Sequence, residues 1–175
     1  AQVASVVGRE FPVSVAAAVA GSADPDGDIA SLLRAEIVRE VRRFPELECT
    51  FRHGLLQEAA LSTLTPTSQR ELYGRVGRAM EAHLGDHVDE QLEQLAFYFY
   101  RSDDTGKAFD YLERAAEHAV RVEAPARAEE LWKRARRVAE REGDEGRTEQ
   151  VDRQLKWLRK RSSGELPLPP APETG

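Results

Sequence analysis

Along the first 64 residues the apolar positions change their spacing several times, whereas from residue 66 to 161 they recur at helical intervals. Val3, Val6 and Val7 make a short stripe that stops at Gly8. Pro12 stands where the first turn of a helix tolerates proline, and Val13 to Val19 continue an alanine-rich helix closed by Gly21. Ser22 to Gly27 has loop composition. Asp28 is placed to cap the next helix, whose Ile29, Leu32, Leu33 and Ile37 keep helical spacing.

From Ile37 the period shortens. Leu47, Cys49 and Phe51 alternate with Glu48, Thr50 and Arg52, which predicts a strand, and residues 39–44 with 47–52 read as a small β-hairpin. Three helices followed by a hairpin is the arrangement of a winged helix with the hairpin as its wing. His53 then opens a helix with Leu55, Leu56, Ala59, Ala60 and Leu64 on its expected buried side. After Thr65-Pro66-Thr67, Ser68 is a plausible cap for an amphipathic helix carrying Leu72, Val76, Met80 and Leu84, which Gly85 stops.

The remainder repeats itself. Leu92, Leu95, Ala96 and Phe99, followed by Ala108, Leu112 and Ala115, match the spacing of a tetratricopeptide hairpin, with small residues where two helices touch. Ala128, Trp132 and Ala135 repeat the small-large-small pattern 20 residues after Ala108, so they belong to a successive helix and not to a whole new repeat. Val151, Leu155 and Leu158 mark an end-capping helix, and residues 162–175 form a proline-rich tail expected to be disordered. The expected fold is mainly α: a winged-helix-like domain over 1–64, a connecting helix over 65–87, and tetratricopeptide-like repeats over 88–161.

Composition narrows the function. Net charge is −6, from 25 basic and 31 acidic residues, which weighs against nonspecific nucleic-acid binding. The single cysteine, Cys49, cannot close an internal disulfide, so a reducing, cytoplasmic setting is expected. No apolar run has membrane-spanning length, and the opening residues lack the charged start of a signal peptide. A chain that opens without Met inside an apolar helical pattern is expected to be a fragment.

Several motifs together carry a resemblance. Val6-Val7-Gly8-Arg9-Glu10-Phe11, the stretch Leu33 to Glu40, and Thr50-Phe51-Arg52-His53-Gly54-Leu55-Leu56-Gln57-Glu58 occur in that order ahead of the Leu92 hairpin. Over roughly residues 3–140 the chain resembles the region after the ATPase core of STAND-type signalling ATPases. These include bacterial multidomain adenylate cyclases and large ATP-binding LuxR-type regulators. Glu36 stands where that pattern more often has glycine, a departure that bears on the turn there.

The resemblance implies a nucleotide-gated switch whose winged helix packs on the ATPase core and whose repeats sense a protein partner. The phosphate-binding Gly-x4-Gly-Lys-Ser/Thr loop is absent from the sequence, so ATP or ADP is expected on an upstream domain. By analogy with related eukaryotic switches, His53 at the strand–helix junction is the candidate nucleotide-phosphate contact. The free N–H groups of a helix start favour an anion there. The plainer reading is that His53 caps the helix or bonds a loop carbonyl.

Other candidates are weaker. Arg34, Arg39, Arg42, Arg43 and Arg52 would suit a DNA-facing patch, but Glu36, Glu40, Glu46 and Glu48 leave residues 31–56 only one charge positive. A DNA-binding winged helix with an oligomerisation module is the alternative reading. His83 and His87 have metal-ligand spacing only if Gly85 does not break their helix. Phe97, Tyr98 and Tyr100 surround the core position Phe99 and either pack between helices or line a partner groove. A shortened repeat array exposes an apolar end, which would permit a homodimer. The basic stretch 127–161 reads as a solvated helix face, and no nucleophile–base pair or metal cluster stands out, so no catalytic activity is expected.

Overall fold

A computed structural model of the chain describes residues 1–162 and is mainly helical with one small antiparallel sheet. The chain divides into two compact units, 1–104 and the remainder from Thr105. The proline-rich segment after residue 162 lies outside the described residues.

The first unit opens with α1 (Gln2–Val7), whose Ala4, Val6 and Val7 are buried, and which ends at Gly8 with φ 145°. Next comes β1 (Glu10–Pro12), a strand the hydrophobic pattern did not announce. Pro12 closes this strand and precedes α2 (Val13–Ala20); it is not inside the helix as expected. Proline has no N–H to give a ladder, and the edge position of β1 tolerates that. Gly21 ends α2 in the left-handed conformation, φ 62°.

The cap of α3 (Pro25–Arg34) is Asp24, not Asp28: its carboxylate accepts the Gly27 N–H at 3.0 Å. Pro25 fixes the first helical position, so the cap must precede it. At the end of α3 the N–H groups of Glu36 and Ile37 donate to Leu33 and Leu32 O, a left-handed helix stop with Glu36 at φ 56°.

The hairpin is β2 (Val38–Arg42) with β3 (Glu48–Phe51), slightly shorter than expected. β3 is central, paired antiparallel with β1 on one side and β2 on the other. Phe11 lies opposite Cys49 and Val38 opposite Phe51. Phe11 and Phe51 meet at 5.8 Å between ring centres, making the sheet's contribution to the core.

α4 (Gly54–Ser62) corrects the sequence reading: none of its residues is fully buried, and Leu55 is 76% exposed. Its main contacts are to the short helix α1, including Gln57 Nε2 donating to Ser5 O at 3.0 Å, and to β3. A six-residue neighbour is too small to cover the whole apolar stripe. α5 (Pro66–Leu84) is capped by Thr65, which accepts the Ser68 N–H at 3.2 Å; Ser68 is therefore a donor to the cap.

The stretch expected as a connector belongs to this unit. α5, with Tyr73, Val76 and Met80 buried, packs on α1 and α2 and also on α6 (Leu92–Tyr100), which follows a 3-10 segment, Gly85–Gln91. Leu92, Leu95, Ala96 and Phe99 of α6 are buried, as their spacing requires.

The second unit contains α7 (Thr105–Arg121), α8 (Pro125–Glu142) and α9 (Glu145–Ser162). α8 packs on both neighbours. Ala108, Leu112 and Ala115, then Ala128, Trp132 and Ala135, then Val151, Leu155 and Leu158 are all buried. Each set falls at i, i+4 and i+7, one face of its helix. Alanine at the first and last of these positions in α7 and α8 permits the close approach of those two helices. Both connections are left-handed stops, with Glu123 at φ 57° and Gly143 at φ 69°. Among the described residues, no helix is long and apolar enough to cross a membrane.

Candidate functional site

The junction between β3 and α4 is built by a change of period. Thr50 fixes the strand end by donating its hydroxyl to Arg9 O at 3.0 Å, and Arg52 N–H donates to Ile37 O at 3.0 Å. His53 then takes extended backbone angles as the N-cap of α4, but its side chain makes no capping hydrogen bond. The imidazole is exposed, and the first turn of α4 has no acidic residue. The capping role that served as the plainer reading of His53 is therefore not taken up. Leu55, one residue into the helix, stands exposed beside it.

Around this junction the arginines are largely engaged. Arg52 pairs with Glu36, Arg42 with Glu48, and Arg43 with Glu40 at 2.7 Å. Arg34 donates to Ser31 Oγ at 3.0 Å. The hydrogen bond from Arg43 holds the Glu40 carboxyl below the usual carboxylate range. With three of the five arginines paired to carboxylates, the patch presents a reduced net field to a phosphate backbone. The hairpin also exposes two apolar side chains, Phe44 in its turn at 80% and Val41 in β2 at nearly half.

The two histidines, whose spacing would suit a metal only on one unbroken helix, have separate partners. His83 Nε2 lies 2.9 Å from Glu46 Oε1, while His87 Nδ1 lies 3.0 Å from Glu90 Oε1 within the 3-10 segment. Glu46 also accepts the Ser14 hydroxyl at 2.7 Å, so one carboxylate ties the hairpin turn to α2 and α5. This tie spans 37 residues between Glu46 and His83 and left no local trace in the sequence. A cavity of about 270 Å³ opens beside it, lined by Glu10, Glu46, Glu48, His83, Gln91 and Gln94 over an apolar floor of Phe11 and Met80.

The aromatic run divides by face. Tyr98, expected to be available to a partner, is 1% exposed, and its hydroxyl donates to Val7 O at 2.5 Å while accepting from Gln94. Burial pushes its phenol up to about 12. Phe97 is the exposed member, packed edge-on to Tyr73 at 5.9 Å with the Arg101 guanidinium 4.6 Å from its centre. Tyr100 is half-buried.

The buried hydroxyls are occupied by the backbone. Ser5 donates to Gln2 O at 2.7 Å and Ser102 to Phe99 O at 2.8 Å, in addition to Thr50 on Arg9 O. Burial, with Glu40 nearby, pushes the Cys49 thiol up, away from the thiolate form a nucleophile needs. Trp132 is a fully buried packing residue of α8. A second groove, about 290 Å³, runs between α1, α2 and α3 and is lined chiefly by Val3, Phe11, Ala16, Ile29 and Leu32.

No family model, no curated protein and no solved structure matches this chain.

Proposed function

We propose that the chain is a non-catalytic regulatory module of a nucleotide-dependent signalling or transcription-regulatory ATPase. In this reading residues 1–64 are a winged helix that transmits nucleotide state from an ATPase core outside the chain. The helices from residue 88 onward are tetratricopeptide-like and bind a protein partner.

The observation that carries the reading is the element order α1-β1-α2-α3-β2-β3 with strand order β1-β3-β2. This order supports the winged-helix reading, and β1 adds a third strand to the expected hairpin. Two further features support it. His53 stands at the strand–helix junction with its side chain exposed and not engaged in capping, so it is available to an anion on a neighbouring domain. The buried small-large-small faces of α7 and α8 suit stacked helical repeats. The paired arginines of the hairpin speak against the DNA-binding alternative.

The mechanism is a differential contact. A histidine held over a phosphate at a helix N-terminus stabilises the nucleotide-bound arrangement of two domains, and losing that contact shifts the population away from it. The isolated chain supplies half of such a site, so calorimetry with ADP is expected to show no binding in the micromolar range. Micromolar binding by residues 1–175 alone would overturn the reading.

A further inference from the structure

We propose that α6 is the surface through which two copies of this chain form a two-fold dimer, each Arg101 on the other copy's Glu93 with Phe97 between them. The inference goes beyond the nucleotide-linked reading and does not rest on it.

Glu93, Phe97 and Arg101 recur at i, i+4 and i+8, which places them along one ridge of α6, and all three are exposed. Over that ridge, about 12 Å long, the order is carboxylate, apolar ring, guanidinium. Taken from the other end, the same order is its own complement. A two-fold axis at Phe97 therefore sets each Arg101 against a Glu93 and ring against ring, the self-matching that a closed dimer requires.

The ridge is already ordered. The Phe97 ring packs edge-on to Tyr73 at 5.9 Å and is still 39% exposed. The Arg101 guanidinium lies 4.6 Å from the Phe97 centre and 5.5 Å from that of Tyr73. A guanidinium resting its face on rings keeps N–H donors at its edge, the fork that a carboxylate accepts. Side chains held in this way lose little freedom on association.

Among the described residues the Arg101 guanidinium has no carboxylate partner. The two carboxylates that follow it in the chain are taken by α5: Asp103 pairs with Arg70 at 3.1 Å and Asp104 with Arg78 at 3.6 Å. Arg147 also lies on a ring, that of Phe109, but it pairs with Asp110 and Asp144 as well. Glu93 has a contact within its own chain, and a carboxylate has lone pairs for a second donor. The helix dipole explains an acid in the first turn of α6 and a cation at its end, but not the ring left open between them.

The occupant follows from the charge order. A foreign partner would have to present the inverse row, whereas a second copy carries it by construction. Glu93, Asp103 and Asp104, so close to Arg101 in sequence, would repel a phosphate backbone. A nine-residue helix buries less than the roughly 1,200 Å² of a standard interface, so the dimer is a weak one.

The test is equilibrium sedimentation of the full chain from about 10 µM to about 1 mM, where a weak contact fills. The average mass is expected to rise toward twice that of the monomer. Arg101→Glu alone and Glu93→Arg alone should each weaken the dimer about tenfold or more, since both ionic contacts become like-charge ones. An equimolar mixture of these two variants should associate, and the double variant should recover the native tendency, because either arrangement restores opposite charges. Arg101→Gln should weaken association less than Arg101→Glu, which decides the matter even where Glu93→Arg lowers the helical melting curve. A chain that stays monomeric throughout, single reversals without effect, or folded single variants that fail to associate when mixed would each overturn the proposal.

Discussion

A Cβ added to Gly77 on α5 would lie 2.8 Å from Phe99 Cζ on α6, closer than carbon atoms pack. The bare backbone of Gly77 is the floor on which the fully buried Phe99 ring rests, and it sets how closely the two helices approach. Helix propensity alone would favour alanine at a mid-helix glycine by about 1 kcal/mol. Overpacking opposes it. Gly77→Ala is expected to destabilise the first unit by about 1–3 kcal/mol in urea unfolding, and Phe99→Leu in the same chain should recover part of the loss. A stabilised Gly77→Ala variant would show that the helices are free to separate.

Glu36 and Glu123 occupy left-handed helix stops where Gly143 supplies the same conformation without a side chain. Left-handed geometry costs an ordinary residue about 1–2 kcal/mol, partly offset because glycine gains entropy in the unfolded chain. Glu36→Gly and Glu123→Gly are each expected to stabilise by about 0.5–1 kcal/mol. The ion pair between Glu36 and Arg52 is exposed and its loss subtracts little. Lower thermal midpoints for both variants would contradict this.

Tyr98 gives a pH signature. Its phenol is raised to about 12 in the folded chain against an ordinary value of 10.0, chiefly by burial. Below the ordinary value both states hold the proton, and the contribution to stability is complete. Between about pH 10 and pH 12 the unfolded state releases its proton first, so stability falls with rising pH through that window. Tyr98→Phe is expected to flatten the fall and to cost about 1 kcal/mol at neutral pH through the lost bond to Val7 O. An unchanged alkaline profile would mean that Tyr98 is not buried in this way.

Leu55 and Phe44 should be nearly silent in folding. Leu55→Ser and Phe44→Ser are each expected to change unfolding free energy by less than about 0.5 kcal/mol, because both side chains are largely exposed. A loss of several kcal/mol in either variant would place it in a packed core.

The helices of this protein were largely legible because their apolar stripes are long and several of their stops are marked by glycine, at Gly8, Gly21 and Gly85. The hairpin was legible from the alternation of Leu47, Cys49 and Phe51. β1 was not, since three residues cannot display a period and Pro12 imitates a helix start. The exposure of α4 was hidden for a different reason: periodicity shows which face is apolar, not whether a neighbour is large enough to cover it. Four consecutive aromatics concealed which would turn inward, and only the approach of α1 decides that Tyr98 is buried and Phe97 exposed. The position of His53 followed from the strand-to-helix change. The tie between Glu46 and His83 could not, because nothing local joins them.

The most direct measurement is the rate of ADP release from a protein in which this chain is joined to its nucleotide-binding core, compared between His53 and His53→Ala. A contact from His53 to the phosphate requires release to quicken several-fold in the variant, with basal output rising alongside. An identical release rate in a correctly folded variant would contradict the relay of nucleotide state through the β3–α4 junction.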